Sequence, residues 1–319
     1  MNFLVFLEHY HGALEKGGLA VLGKAASLGD AIGVVLGEDA ATVAATAGSF
    51  GAAKVFTNEA PELASPLPQA RVDALATLVE QTSPDAVLFG ASVLSADVAS
   101  GLAARLDAGL NWDLVDLSSQ DGQLIGRRPA LGDSVFVDVT WSETPRLALF
   151  RSGTFDPSST GGTAEVEDVA VTLEEHSQVA TMVERAHAES EGPDLAEADV
   201  IVAGGRGLGG PENFTVVEEL AKALGGAVGA TRAVVDAGWY PYSTQIGQTG
   251  KTVSPKLYVA CGVSGAIQHK VGMQSSGTIV AINKDPNAPI FEFCDLGVVG
   301  DLHQIVPKLT ELVRARKSS

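Results

Sequence analysis

The chain has 319 residues, and its 39 Asp and Glu outnumber its 21 Lys and Arg, giving a formal net charge of −18. This length predicts about two domains. Such an acidic surface disfavours binding to nucleic acid and to anionic lipid, which are recognised by clusters of Lys and Arg. The cysteines Cys261 and Cys294 form no C-x-x-C motif. Cysteine-based zinc and iron–sulfur sites are therefore excluded, and two buried thiols are expected.

The N-terminal half alternates short β-branched runs with longer amphipathic runs, which is typical of βαβ units and a parallel sheet. Strands are predicted at 2–7, 31–36, 53–57 and 86–90, and helices at 17–28, 40–48, 69–82 and 94–107. The stretch 110–170 has a different pattern, with turn residues at 121–122 and 143–145. There we predict antiparallel strands at 123–128, 134–139 and 146–150.

A polar stretch at 189–194, which contains Gly192 and Pro193, is predicted to be the domain boundary. A second alternation follows, with strands predicted at 199–203, 227–230, 256–260 and 278–282 and helices at 211–224 and 302–314. Pro307 is expected to start or bend the last helix. No leader-like segment precedes the first predicted strand, and no run of 18 apolar residues occurs. We therefore expect a cytoplasmic protein of bacterial type.

Glycine-rich or hydroxyl-rich loops lie at 204–210, 245–251, 262–269 and 283–286, most of them directly after predicted strands. Loops that follow parallel strands gather at one edge of the sheet, where ligands bind. In the first loop, bare backbone amides, a helix N-terminus and Arg206 favour an anion. Its glycine spacing is not the usual dinucleotide fingerprint, so an ordinary turn explains this loop equally well.

The loop at 262–269 indicates a second anion site, with Ser264 as the cap of a short helix that carries His269. His269 is either a satisfied structural residue or a cationic or hydrogen-bond-donating group. The loop at 245–251 holds two Gly, two Gln, Thr249 and Lys251. Its polar groups argue against burial and favour a solvated turn or contact with a heteroaromatic ring. A P-loop is disfavoured because the glycine expected five residues before Gly250 is absent.

Polar residues also follow the remaining predicted strands of the second half. Arg232, beside Thr231, is expected either to stack on a ring and neutralise charge or to form a surface ion pair with Asp236. Asn283 ends another strand and would reach the same crevice. Asp301 is expected to cap the last helix or to contact an adenine or a ribose. Their shared edge favours one large phosphate-bearing cofactor over several unrelated turns.

The sequence lacks the motifs that are typical of hydrolases and of metal-dependent enzymes. The sequence has no Gly-x-Ser-x-Gly and no His-Glu-x-x-His motif. His9 and His11, two residues apart after a predicted strand, are interpreted as loop structure rather than as metal ligands. A large cofactor without substrate machinery indicates redox carriage.

The segment 261–269, CGVSGAIQH, followed by 276–291, SGTIVAINKDPNAPIF, resembles the signature of electron-transfer flavoprotein alpha subunits almost residue for residue. The segment 247–251, GQTGK, also fits, and weaker similarity extends over nearly the whole chain. The resemblance implies an α/β fold of two domains. Residues 1–190 would form a parallel-sheet, nucleotide-hydrolase-like domain with added strands, which packs on a beta subunit. Residues 191–319 would form a doubly wound, Rossmann-like FAD-binding domain.

The resemblance implies FAD as the cofactor and a set of contacting residues in the C-terminal domain. The implied contacts are Arg206, Thr231, Arg232, Ile246, Gly247, Gln248, Thr249, Ser264, Gly265, Ala266, Ile267, Gln268, His269, Asn283, Asp301 and Leu302. Thr249 would bond flavin N5. Arg232 and His269 would place positive charge near the ring and its N1–O2 edge, which favours the uptake of one electron at a time.

The resemblance further implies an electron carrier rather than an enzyme. As half of a heterodimer with a beta subunit, the chain would accept electrons from acyl-CoA and related dehydrogenases. It would pass them singly to a membrane quinone oxidoreductase, without entering the membrane itself. The linker near Pro193 is expected to let the FAD domain swing toward partners. The alternatives are a nicotinamide-dependent oxidoreductase that uses the same crevice, an electron-bifurcating flavoprotein subunit and a non-redox adenine-nucleotide-binding subunit.

Overall fold

The computed structural model describes residues 1–10, 12–131, 133–184 and 193–317. The chain divides into two compact units, Met1–Ala186 and His187–Ser319. Residues 189–192 of the predicted boundary lie outside the described part, as does His11. The other histidine of the predicted pair, His9, is hydrogen-bonded to the backbone carbonyl of Glu38, with 2.6 Å between Nε2 and the oxygen.

The first unit contains four α-helices and twelve strands within its described residues. The helices are α1 (Lys16–Ala26), α2 (Ala40–Ala44), α3 (Pro68–Thr82) and α4 (Val93–Leu106). The strands are β1 (Asn2–Phe6), β2 (His9–Tyr10), β3 (Ala13–Leu14), β4 (Asp30–Leu36), β5 (Lys54–Asn58), β6 (Ala86–Gly90), β7 (Leu110–Leu114), β8 (Asp116–Gln120), β9 (Gln123–Ala130), β10 (Val135–Val139), β11 (Arg146–Phe150) and β12 (Glu165–Asp168).

A seven-stranded parallel sheet in the order β12-β5-β4-β1-β6-β11-β7 forms the centre of the first unit. Successive side chains of β1 enter different cores, because side chains alternate across a strand. Phe3 and Val5 pack with α1 on one face, and Leu4 and Phe6 pack with α3 and α4 on the other. Burial on both faces explains the near-continuous apolar strands, and the predicted α/β class is confirmed.

The prediction that 146–150 is antiparallel is wrong. This segment is β11, which pairs in parallel with β6 and β7. Its residues Leu147 to Phe150 are all buried, and such an unbroken apolar run belongs to a strand that is covered on both faces. The antiparallel element consists of β8, β9 and β10 instead.

The second unit is built on a six-stranded parallel sheet in the order β15-β14-β13-β16-β17-β18. Its strands are β13 (Val200–Gly204), β14 (Ala227–Thr231), β15 (Gln245–Ile246), β16 (Leu257–Cys261), β17 (Thr278–Asn283) and β18 (Leu296–Val299). Its helices are α5 (Thr215–Leu224), α6 (Arg232–Val235), α7 (Ile267–Lys270) and α8 (Leu302–Lys317).

Each face of this sheet carries its own core. Ile201 and Tyr258 lie in one core, whereas Val202 and Val259 lie in the other with residues of α5 and α8. Helix α8 begins at Leu302, so the expectation that Pro307 starts it is wrong; the proline lies inside the helix. Among the described residues, no helix has both the length and the apolar character needed to cross a bilayer.

Arg151 connects the antiparallel element of the first unit to its parallel sheet. The guanidinium donates to both carboxylate oxygens of Asp113 on β7, at 2.7 and 2.8 Å, and to Asp133 before β10, at 2.7 Å. Both aspartates have left-handed backbone, with φ of 62° and 61°. Burial alone would lower the pKa of Arg151, but its bonds to Asp113 and Asp133 raise it, so the charge is fixed at every working pH.

Arg151→Met is expected to destabilise the first unit by about 2 kcal/mol, because it leaves two carboxylates crowded together without their partner. The control is Arg127→Met on β9, whose ion pair with Asp138 is exposed and which should cost well under about 1 kcal/mol. Urea unfolding in a Trp239→Phe background reports this unit through Trp112 and Trp141. An equal loss of unfolding free energy in the two variants would contradict the connecting role of Arg151.

Candidate functional site

The strand order of the second unit changes direction between β13 and β16. The chain runs outward through β14 and β15 on one side, then returns to place β16, β17 and β18 on the other. In open parallel sheets, ligands bind beyond the carboxyl ends of the strands at such a switch point. Here the loop after β13 contacts the loop after β16. The amides of Gly205 and Gly207 donate to the carbonyls of Cys261 and Gly262 at 2.9 and 3.0 Å.

Glycine is required where these loops meet. A Cβ on Gly207 would lie 2.7 Å from the Cα of Gly262, and Gly262 itself has left-handed backbone with φ of +66°. The expectation of bare amides in the loop at 204–210 is wrong for Gly205 and Gly207, because both are used in holding the neighbouring loop. Arg206 between them remains exposed, so this loop offers a positive side chain.

The loop after β16 carries the available amides instead. Among the described residues, the amides from Ser264 to Gln268 donate to no protein acceptor, and Gly265 has φ of +85°. Successive free N–H groups around a left-handed residue form a concave anion-binding surface. The expectation that Ser264 caps α7 is wrong: the cap position is Ala266, and the Ser264 carbonyl accepts from the Ile290 amide at 3.0 Å.

The predicted loop at 245–251, which begins with strand β15, is partly buried, contrary to expectation. Gln245, Ile246 and Gly247 are buried because their polar groups find partners within the chain. The Gln245 side-chain amide donates to Thr249 Oγ1 at 3.1 Å. The backbone carbonyl of Gln245 accepts from the Lys251 backbone amide at 2.7 Å. The side chains of Gln248 and Thr249 remain exposed at the tip.

The end of β14 brings Thr231 beside Ile246, its direct partner in the parallel register with β15. Arg232 follows, and its Nε donates to Asp236 Oδ2 at 3.2 Å. Both side chains are more than 60% exposed. The surface ion pair is thus the state of this isolated chain, and the two Nη atoms of Arg232 have no partner among the described residues. Such a weak pair leaves the arginine available to a ligand.

The ends of β17 and β18 complete the edge. Asn283 donates from Nδ2 to the Val263 carbonyl at 2.9 Å and so fastens the loop after β16. Asp301 caps α8, since its carboxylate accepts from the His303 amide at 2.9 Å. Leu302 is buried, and its side chain lies 2.9 Å from where a Cβ of Gly262 would be. These three predicted residues therefore have structural contacts of their own.

His269 is buried, and both of its ring nitrogens are bonded within the protein. Nδ1 lies 3.0 Å from the Ile246 carbonyl, and Nε2 lies 2.9 Å from the Tyr258 hydroxyl. Burial lowers the pKa of His269 to about 4, although the bond to the Ile246 carbonyl opposes the shift. The imidazole is neutral at neutral pH, so the expected positive charge at this position is wrong for the isolated chain.

Of the two cysteines of the second unit, Cys261 is buried, as expected. Burial raises the pKa of the Cys261 thiol to about 12, so it is protonated and inert. Cys294 was expected to be buried but is partly exposed. Tyr258 was not predicted as a site residue. Its signal in the sequence is a phenolic hydroxyl within an otherwise apolar strand, which must find a hydrogen-bond partner when it is buried.

Every one of the six parallel strands is thus followed, or ended, by at least one predicted site residue. The arrangement offers free amides, two exposed arginines, and exposed hydroxyl and amide side chains along one edge. These are the groups that an elongated, phosphate-bearing ligand with a polar ring requires. Within the described residues, no group of three His, Cys, Asp or Glu side chains is placed to hold a metal ion.

Comparison with known proteins agrees with this geometry. A family model described as the electron transfer flavoprotein domain matches residues 3–174, and one described as the electron transfer flavoprotein FAD-binding domain matches residues 194–274. The electron transfer flavoprotein subunit alpha of Mycobacterium leprae is 42% identical over 316 residues, covering 98% of each chain. That of Thermoanaerobacterium thermosaccharolyticum is 39% identical over 322 residues with the same coverage.

The subunit alpha of Bacillus subtilis is 42% identical over 285 residues, covering 89% of this chain and 87% of its own. The FAD-binding match lies within the second unit, whose loops carry the available amides, and FAD is therefore the cofactor. The chain belongs to the family of electron transfer flavoprotein alpha subunits.

Proposed function

We propose that this chain holds FAD at the carboxyl edge of the six-stranded sheet and, with a beta subunit, carries electrons in the cytoplasm. The donors would be acyl-CoA and related dehydrogenases, and the acceptor a membrane quinone oxidoreductase that takes electrons singly. The proposal depends on one observation: loops from all six parallel strands meet at one edge, where the amides at 264–268 are free. Residues 191–319 are proposed as the FAD domain.

The residues present fit FAD. The free amides from Ser264 to Gln268 suit its pyrophosphate, and Arg206 adds a planar cation next to them in the fold. Thr249 Oγ1 accepts from Gln245, so its own proton is free to be donated outward, toward a ring nitrogen. When bound, FAD supplies reversible uptake of electrons. The remaining predicted contacts would line the same edge, with Thr231 and Ile246 paired beside it.

A carrier role is proposed because the matching family model and relatives are electron transfer flavoproteins, and three buried titratable side chains of this unit agree with it. General acid–base work needs a group whose pKa lies near the working pH. His269 titrates at about 4, Cys261 at about 12, and burial places the pKa of Tyr258 well above 10. None of these three side chains is suited to moving protons at neutral pH. Arg232 supplies charge, which is enough for holding an electron.

The antiparallel element of the first unit supports the proposed partner. Among the described residues, strand β10 pairs only with β9 and has an open outer edge, and Val135, Phe136 and Val137 are all exposed. An open apolar edge strand of this kind normally has a covering partner, because it would otherwise aggregate. The relatives are named as alpha subunits, and we propose that the beta subunit covers this strand.

Purified together with its beta subunit, the full chain is expected to be yellow and to hold about one FAD. Gly207→Ala should weaken FAD binding at least tenfold, because its Cβ pushes the Gly262 loop away. The control Gly209→Ala lies in the same loop with open space around it and should lose some stability without losing FAD. A colourless complex that refuses added FAD would exclude the proposal. Fluorescence titration with FAD measures both variants.

Arg232→Ala is expected to lower the flavin midpoint potential. One charge at about 4 Å in a water-like medium contributes roughly 1 kcal/mol, which corresponds to about 40 mV. Arg232→Lys should retain most of this effect. The control Arg314→Ala on α8 removes the same charge from an exposed ion pair with Glu219 on α5 and should leave the potential unchanged. Spectroelectrochemical titration decides, and equal potentials for both alanine variants would contradict the role of Arg232.

Phe136→Lys is expected to weaken assembly with the beta subunit at least tenfold, because it places a charge on the edge that the partner covers. The matched control is Val166→Lys on β12, the edge strand of the parallel sheet in the same unit, where Val166 is also exposed. Copurification and light scattering give the affinity. Intact assembly of Phe136→Lys would place the partner elsewhere.

A further inference from the structure

A chain of two buried hydrogen bonds crosses one face of the six-stranded sheet. It runs from Tyr258 on β16 through His269 on α7 to Ile246 on β15. Tyr258 is the largest fully buried side chain of the protein's described residues, and His269 is 6% exposed. Both bonds are thus shielded from water, where a hydrogen bond is strongest and an unpaired polar atom is most costly.

The direction of both bonds follows from the chemistry of their ends. The Ile246 carbonyl can only accept, so His269 Nδ1 carries the proton and donates it. In the neutral ring, Nε2 is then an acceptor, and the Tyr258 hydroxyl must donate to it. The two partners select the same tautomer and the same charge state, which agrees with the lowered pKa of His269.

These bonds connect two loops that the sheet itself keeps apart. Strands β15 and β16 are separated by β14 and β13 in the sheet order, so no ladder hydrogen bond joins them. His269 closes this gap, together with the bond from the Gln248 amide to the Gln268 carbonyl at 2.8 Å. One neutral imidazole therefore links the loop at 246–249 to the loop at 264–269.

We propose that Tyr258 is a positioning residue of the FAD site: its hydroxyl holds His269 as the neutral bridge that keeps these two loops in register. This inference rests on the proposed function, in which the loops at 246–249 and 264–269 both bind FAD. It adds a residue outside the set of contacts, acting through His269. A purely packing role for Tyr258 would need only its ring, which phenylalanine also supplies.

The other titratable groups around the bridge do not compete for its proton. Cys261 lies farther along β16, and its thiol is protonated because burial raises its pKa. β15 contributes only the uncharged Gln245 and Ile246. On α7 itself, the Lys270 ammonium lies 4.8 Å from the centre of the Phe293 ring, where that ring supports its charge. The hydroxyl of Tyr258 is therefore the group that controls Nε2.

Tyr258→Phe tests the bridge in the full chain by NMR of labelled histidines. Losing the donor to Nε2 destabilises the neutral ring, so the pKa of His269 should rise by about 1. At pH 5.5 roughly a quarter of His269 would then be protonated, against about 3% in the unaltered chain. His269→Gln identifies the resonance among the six histidines. An unchanged pKa overturns the inference.

FAD affinity supplies the second measurement, by fluorescence titration with FAD at pH 7.5 and pH 5.5. Tyr258→Phe should bind FAD about threefold to tenfold more weakly at pH 7.5 and lose further affinity at pH 5.5. The control Tyr240→Phe removes a hydroxyl bonded to Glu218 and should match the unaltered chain at both pH values. If the unaltered chain binds no FAD, the proposed function fails, while the NMR titration still decides the bridge.

A second pair of variants applies if Tyr258→Phe does not fold. Glutamine at 269 has an amide donor and a carbonyl acceptor, as the neutral imidazole has, whereas leucine has neither. His269→Gln is therefore expected to lose less FAD affinity than His269→Leu. Equal losses for the two variants, with FAD still bound by the unaltered chain, would refute the bridge and leave the proposed function in place.

Discussion

The close contact of two glycine loops at the switch point is the constraint on which the second unit depends. Gly207 and Gly262 meet with no room for a side chain on either backbone. The contact uses the amides of Gly205 and Gly207, and it leaves the amides of the following loop without acceptors. The loop after β16 thus keeps its amides free because the loop after β13 supports it, and the supporting loop gives up its own amides to do so.

The sequence predicted much of the fold, because hydrophobic periodicity is a local property. Most strands of both sheets, and the main helices, lie within a few residues of their predicted positions. The error at 146–150 came from neighbouring turns, since a buried apolar run does not reveal the direction of its partners. Strand β7 was missed because its residues, from Leu110 to Leu114, include polar groups at the sheet edge.

The site was predictable in position but not in its electrostatics. That loops after parallel strands share one edge follows from topology, so the predicted residues do gather there. The charge of His269 depends on its burial and on Tyr258, which lies on another element of the fold. The residues next to His269 in the sequence therefore do not reveal its charge. Likewise, the sequence could not tell which glycine loop has free amides, because that depends on which loop donates to the other.

The first unit has the same kind of topology, but the charges beside its switch point are paired within the chain. Its strand order reverses between β1 and β6, where Glu8 follows the first of these strands and α4 follows the second. The Glu8 carboxylate accepts from the hydroxyls of Ser92 and Ser95 at the start of α4, so the chain's own anion lies where a ligand anion would bind.

Arg71 near this edge is equally engaged. It is buried and donates to the carbonyls of Leu63 and Leu67 at 2.8 and 3.0 Å, and burial lowers its pKa to about 10 while the charge of Glu8 opposes this shift. Both charges are thus satisfied inside the first unit, whereas Arg206 and Arg232 of the second unit stay exposed. The two sheets therefore differ in which charged side chains they leave exposed beside their switch points.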